Sequence, residues 1–172
     1  MKKLLIFALP ALLLTACATA SVKNSESAIP VVVPMEKKIA VALSNDGSYG
    51  SINYRASGIE TSHALADALK KHFMNVTVWT NYVDFNTAKT QAAAQGFDYL
   101  IYPKITQWED RNTPMSGRRD KVGITVYLVD AKTGSILKTS DLYATNNWLT
   151  FINNRPEAML PKIATPYANA LY

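Results

Sequence analysis

Lys38-Ile39-Ala40-Val41-Ala42-Leu43-Ser44 decides the fold. It is an apolar run of strand length, it stops at the turn-forming residues Asn45-Asp46-Gly47-Ser48-Tyr49-Gly50-Ser51, and it reads as a buried strand. The pattern then changes period. Ser57-Gly58-Ile59-Glu60 fits a capping box, and behind it Leu65, Leu69 and Phe73 recur every four residues with Ala68 beside them, so an amphipathic helix follows the strand. Lys70, Lys71 and His72 suit the end of that helix, where its dipole favours positive charge.

The same alternation continues outward from this unit. Val76-Thr77-Val78-Trp79-Thr80 is β-branched and aromatic, a second strand. Asp84 or Asn86 can cap a second helix through Ala88, Ala92, Ala93 and Ala94, with Gly96 placed to end it. Asp98 to Tyr102 opens a third strand that runs on to Trp108, and Pro103 requires a bend, a bulge or an edge position there. Val122, Ile124, Val126 and Leu128 then alternate along one face, Asp130-Ala131-Lys132-Thr133-Gly134 turns the chain, and Ser135 to Thr145 returns as a hairpin. Pro156 opens a last helix, in which Pro161 and Pro166 forbid one straight rod and predict two short or kinked pieces. The order β-α-β-α-β-β-β-α defines an α/β (α+β) domain over residues 37–172, with a mixed sheet of about five strands and helices packed on it.

What precedes the domain sets the expected compartment. Met1-Lys2-Lys3 is a positive start, and Leu4 to Leu14 is an apolar stretch too short for a span of ~20 residues, so residues 1–16 read as a cleaved signal peptide. Leu14-Thr15-Ala16-Cys17 resembles the lipobox of bacterial lipoproteins. That resemblance implies a diacylglycerol on the Cys17 sulfur, cleavage before Cys17 and an acylated (palmitate-bearing) new amine. Ala18, where aspartate would be the inner-membrane retention signal, implies an outer-membrane destination facing the periplasm. Ordinary secretion is the competing reading, since Ala18-Thr19-Ala20 also offers a small-x-small cut. With one cysteine, no disulfide forms within the chain.

Removing the leader takes Lys2 and Lys3, so the mature chain carries 16 basic residues against 13 acidic ones, a net +3. Such an excess permits contact with anionic head groups or wall carboxylates. No arginine-rich run points to nucleic acid. Residues 17–36 are small and polar, then punctuated by Pro30 and Pro34, and read as the lipidated cysteine followed by a flexible linker.

A second resemblance rests on Gly96-Phe97-Asp98-Tyr99-Leu100-Ile101-Tyr102-Pro103, Trp108-Glu109-Asp110-Arg111, Val129-Asp130-Ala131-Lys132-Thr133-Gly134, Leu160-Pro161 and Leu171-Tyr172. Together these look like an uncharacterised small Gram-negative lipoprotein family, catalogued as domain of unknown function four-eight-two-three. It brings no activity with it. The order of elements is also similar to the α/β domains of periplasmic accessory lipoproteins, such as activators of penicillin-binding proteins and the N-terminal domain of TolB, an analogy of fold alone.

The search for chemistry yields no catalytic set, no metal set and no cofactor motif. His63 and His72 lie nine apart on one helix, hence on opposite faces, and cannot share a metal. His63 and Asp67, four apart, can pair on the surface. Gly47, Gly50 and Ser51 hint at a phosphate loop, but no Gly-Lys-Ser/Thr follows. The segment richest in chemistry is Trp108-Glu109-Asp110-Arg111 with Arg118-Arg119-Asp120. Its carboxylates could serve a cell-wall or glycan-acting enzyme, although arginines this close hold them ionised. Its Trp108 and the arginines Arg111, Arg118 and Arg119 are the residue types that anchor protein interfaces, which makes this the expected binding segment. Trp79, Trp148, Tyr82, Tyr99, Tyr102, Tyr127 and Tyr143 make the domain aromatic-rich, and an exposed cluster of them could bind sugar rings or a peptide. The expectation is therefore a non-enzymatic accessory module, held to the membrane by lipid on Cys17 and binding an envelope protein or cell-wall partner.

Overall fold

The computed structural model describes residues 19–24, 31–110, 119–146 and 155–172. In chain order the elements are β1 (Thr19–Asn24), β2 (Lys38–Val41), β3 (Gly47–Tyr49), β4 (Ile52–Tyr54), α1 (Ser57–Leu69), β5 (Asn75–Val78), α2 (Phe85–Ala94), β6 (Tyr99–Glu109), β7 (Lys121–Asp130), β8 (Ile136–Thr145) and α3 (Pro156–Asn169). Six strands form one mixed sheet in the order β1-β8-β7-β6-β2-β5, and β3 and β4 pair as a separate ribbon. β2 runs parallel to both β5 and β6, while β6, β7, β8 and β1 are successively antiparallel. The expected α+β class with a mixed, helix-covered sheet is the one observed.

Alternation along β2 explains why its sequence is apolar throughout. Ile39 and Val41 join the core under α1 and α3, and Ala40 and Ala42 join a smaller core under α2. A strand covered on both faces has no polar face to show. β7 contributes Val122, Ile124, Val126 and Leu128 to the larger core, as its period predicts. Asp84 caps α2 by accepting from the Asn86 and Thr87 amides, and Gly96 (φ 71°) follows the helix in the left-handed region. At the hairpin turn, Asp130 Oδ1 accepts from the Lys132 and Thr133 amides at 2.9 and 2.8 Å. Pro103 sits inside β6, where pairing with β2 has already ended at Ile101, and the β6–β7 register shifts between Ile105 and Gln107. The missing proline donor therefore falls where β6 has lost its parallel neighbour.

Four expectations are corrected. The linker over 17–36 contains strand β1, paired residue by residue with β8 from Thr19↔Thr145 to Asn24↔Ser140, and Val33 is buried with its amide on the Leu171 carbonyl at 2.8 Å. Edge pairing needs backbone groups rather than an apolar period, and only Val22 of β1 packs on the core. The loop at 45–51 contributes to the β3–β4 ribbon. No capping box forms: the N-cap of α1 is Ala56, in the left-handed region at φ 72°, and Ser57 Oγ instead accepts from the Gly47 amide at 2.8 Å and donates to the Tyr54 carbonyl at 2.7 Å. Finally, α3 is one helix with Pro161 and Pro166 inside it. Its buried face, Met159, Leu160, Ile163, Ala164, Tyr167 and Ala168, offsets the two lost amide bonds.

Tyr167 is fully enclosed, and its hydroxyl has no partner among the described residues. Burial pushes its ionisation far above the ordinary phenol range. An unpaired buried hydroxyl costs free energy. Tyr167→Phe is therefore expected to raise stability by about 1 kcal/mol in urea unfolding; a loss of that size would mean the hydroxyl is satisfied.

Candidate functional site

Among the described residues of the segment expected to bind, Trp108, Glu109 and Asp120 are interior. Trp108 is completely buried, because the register shift after Ile105 turns the strand by one residue and brings Trp108, rather than Gln107, onto the core face. It cannot be the interface anchor that its residue type suggested. Glu109 is buried, accepts from Gln107 Nε2 at 2.6 Å and lies 4.0 Å from Lys121 Nζ. Asp120 is buried and held by Asn146, whose side-chain amide donates to it while Asn146 Oδ1 accepts from the Asp120 amide at 2.9 Å. Asp110 is half-buried, and its backbone is in contact with the Tyr54 hydroxyl at 3.4 Å. Arg119 is exposed. Arg111, Arg118, Trp148 and Cys17 lie outside the described residues. Glu109 and Asp120, locked in these hydrogen bonds, do not form a free acid–base pair flanking a cleft.

The remaining sequence candidates are dispersed. His63 lines a groove between α1 and α3, while His72 stacks on Tyr172 with centroids 4.8 Å apart and shares a 2.7 Å hydrogen bond with Asn169. Asp67 pairs with Lys70 at 3.3 Å rather than with His63. Gly47 lies against Trp108, and its amide is already taken by Ser57, so no phosphate cradle forms. Among the described residues there is no group of three His, Cys, Asp or Glu able to hold a metal, and no helix long and apolar enough to cross a membrane.

The α1–α3 groove, about 490 Å³, is walled by Ala64, Ala68, Leu160 and Pro161 and carries Glu60, Asp67 and Glu157. Burial, then Glu157 and Asp46, push the Glu60 carboxyl above its ordinary 4.5. Its folded pKa thus exceeds the unfolded one, so its contribution is fully present below about 4.5 and is lost as pH rises through the raised value. Glu60→Gln is expected to flatten the stability profile between that pH and neutrality. Superimposable profiles of variant and wild type would contradict this.

A different surface gathers four aromatics, from buried Tyr102 to exposed Tyr82. Tyr102 and Lys104, two apart on β6, share a face, and Tyr127 lies opposite Tyr102 on β7. Phe85, the first residue of α2, meets Tyr102 edge-on at 5.0 Å and Tyr127 at 5.3 Å with a 45° tilt. With Tyr82, Asn45 and Ile136 these residues enclose about 410 Å³, within the ~300–1,000 Å³ usual for ligand pockets. Tyr82 and Ile136 are 54% and 50% exposed. Tyr102 is buried, donates to the Val83 carbonyl at 3.2 Å, and burial together with Tyr82 keeps its hydroxyl protonated well above the usual phenol range. Lys104 is exposed and has no ion-pair partner among the described residues. The arrangement offers stacking faces, hydroxyl donors and one free cation, a set suited to holding a ligand and lacking a nucleophile–base pair. Sequence reasoning saw these tyrosines as aromatic content without grouping them; the i, i+2 spacing of Tyr102 and Lys104 was the available signal.

This fold is a mixed sheet with two helices on one face and one on the other, an α+β domain. The chain belongs to the family described as Domain of unknown function (DUF4823), which matches residues 32–171. None of the curated proteins matches it. Among solved structures, a variant PelC dodecamer from Paraburkholderia phytofirmans is similar at TM-score 0.68 and 14% identity, over 89% of this chain and 98% of that one. A second PelC dodecamer from the same organism is similar at TM-score 0.64 and 15% identity, over 86% and 96%. Protein XCC0632 from Xanthomonas campestris, of family DUF330, is similar at 0.52 and 11% identity, over 85% and 86%. At these identities the likeness is one of fold.

Proposed function

We propose that the protein is a lipid-anchored accessory module of the bacterial envelope, tethered through Cys17 to the outer membrane and facing the periplasm, that binds an envelope protein or cell-wall component without transforming it. The observation that carries the binding half is the Tyr82–Phe85–Tyr102–Tyr127 pocket with the free Lys104 at its rim. The anchor half is supported by Leu14-Thr15-Ala16-Cys17 placed directly after the apolar leader, and Ala18 favours the outer membrane. An enzymatic reading would need the carboxylates of the 109–120 region, and Glu109 and Asp120 are committed to structural hydrogen bonds.

Two measurements test this reading separately. Intact-mass analysis of membrane-extracted protein is expected to show a chain beginning at Cys17 with diacylglycerol and acyl additions; an unmodified chain beginning at Ser21 would refute the anchor. Affinity capture from envelope extract is expected to lose its principal partner when Tyr82→Ala and Lys104→Gln are combined. An unchanged captured set would refute the pocket as the binding surface.

A further inference from the structure

β5 is the last strand on its side of the sheet, and the chain that leaves it toward α2 encloses a second cavity. Trp79 follows β5 directly and is tied to β2, its amide donating to the Val41 carbonyl at 3.0 Å. Thr80 and Asn81 continue into the loop before α2, and across from them stand Gln91 and, at the C-cap of that helix, Gln95. With Val78 and Val83 as apolar walls, these residues line about 320 Å³. That is the low end of the ~300–1,000 Å³ usual for ligand pockets, and room for one sugar ring.

The cavity carries an unpaired donor. Trp79 is 7% exposed, and its indole N–H is buried with no partner among the described residues. An indole nitrogen can only donate, and a buried donor left unpaired costs free energy. Its companions in the smaller core, Ala40, Ala42, Ala88, Ala92 and Leu100, have side chains that accept nothing, and the Tyr102 hydroxyl is engaged with the Val83 carbonyl. An acceptor therefore has to come from the cavity side. The polar side chains there are the amides of Asn81, Gln91 and Gln95 and the Thr80 hydroxyl, and none of them makes a hydrogen bond among the described residues. They can turn toward a guest without breaking anything.

Charge decides which guest fits. Among the described residues that line the cavity none is charged, so a phosphate, carboxylate or ammonium group would lose water there without gaining a counter-charge. The lining matches an uncharged molecule dense in hydroxyls. A side-chain amide donates and accepts in one plane, the complement of two neighbouring sugar hydroxyls. Gln91 and Gln95, four apart, present two such amides on one side of α2. The Trp79 N–H adds a donor for a ring oxygen or an acetamido carbonyl, and the two valines can cover an acetamido methyl.

We infer that the cavity between β5 and α2 is a binding site for one residue of an uncharged glycan, with Trp79, Asn81, Gln91 and Gln95 as its hydrogen-bonding groups. It is a different site from the aromatic pocket, because the loop before α2 gives Tyr82 to that pocket and Val83 to this cavity. It needs nothing to bind at the pocket, so the two readings fail separately.

The test uses the full lipidated protein in nanodiscs and, as probe, the N-acetylglucosamine trimer, followed by saturation-transfer NMR. Transfer to its acetyl and ring protons is expected, unchanged by high salt or by Lys104→Gln. Trp79→Phe, which keeps the ring and removes the N–H, should weaken binding by about fivefold, the effect of one hydrogen bond. Gln91→Ala with Gln95→Ala should weaken it further, and alanine is the better helix former, so the fold is kept. Absence of transfer, or affinity unchanged in the double glutamine variant, would overturn the inference. So would preference for the cationic deacetylated trimer or for an uncharged tetrapeptide of serine and alanine. Loss of binding on Lys104→Gln alone would overturn it too, by moving the sugar to the aromatic pocket.

Discussion

Trp108→Ala is expected to lower stability by about 3–5 kcal/mol, the range for emptying a fully buried aromatic site. Trp108 has no exposure, and it fills the space against Gly47, where an added Cβ would lie 2.6 Å from the Trp108 Cβ. Its indole N–H is buried without a partner among the described residues. Trp108→Phe keeps most of the ring volume and drops that unpaired donor, so it should cost much less. Urea unfolding reads both. Envelope capture, measured well below the melting temperature of each variant, should be unchanged by Trp108→Phe. Capture abolished at unaltered stability would return Trp108 to the role of a surface anchor.

Gly58→Ala carries the second large effect, although alanine is the better helix former by ~1 kcal/mol. Gly58 lies in the first turn of α1, which is stitched to the end of β2: Gly58 donates to Asp46 Oδ1 at 2.9 Å, and Ser62 Oγ accepts from Ser44 and donates to the Ala42 carbonyl at 3.0 Å. A Cβ at position 58 would collide with the Ser44 carbonyl oxygen and stand 3.0 Å from the Asn45 carbonyl carbon. Those atoms are backbone and cannot rotate away, so overpacking of about 3 kcal/mol outweighs the propensity gain, for a net loss of about 2 kcal/mol. Thermal or urea unfolding checks it. A Gly58→Ala chain as stable as the parent would mean that α1 slides freely on β2.

Much of the fold was legible because local signals agreed with tertiary demands. Ile39 to Ala42 is apolar since helices cover both faces of β2, and Val122 to Leu128 alternates since the larger core covers one face of β7. Asp84 and Gly96 bound α2 through chemistry confined to the helix ends. The failures have physical causes too. β1 is an edge strand whose pairing uses backbone groups, so its side chains Thr19, Ser21 and Lys23 carry no periodic signature. Ser57 was read as a cap because its spacing to Glu60 is right, but its hydroxyl serves the neighbouring ribbon. Trp108 was misplaced because one bulge reverses the inward and outward faces of everything beyond it. The pocket was illegible for another reason. Phe85, Lys104 and Tyr127 belong to three elements and Tyr82 to the loop before α2, and the sheet order makes them neighbours.

The central claim is that the chain works by holding a partner at the aromatic pocket. The most direct measurement places a photoreactive residue at position 82 in intact cells, with position 59, 49% exposed on the helix-covered opposite face, as the comparison. The account predicts a discrete crosslinked species from position 82, absent from position 59 and lost when Lys104→Gln is added. Identical products from both positions, or a product at 82 indifferent to Lys104, would contradict it.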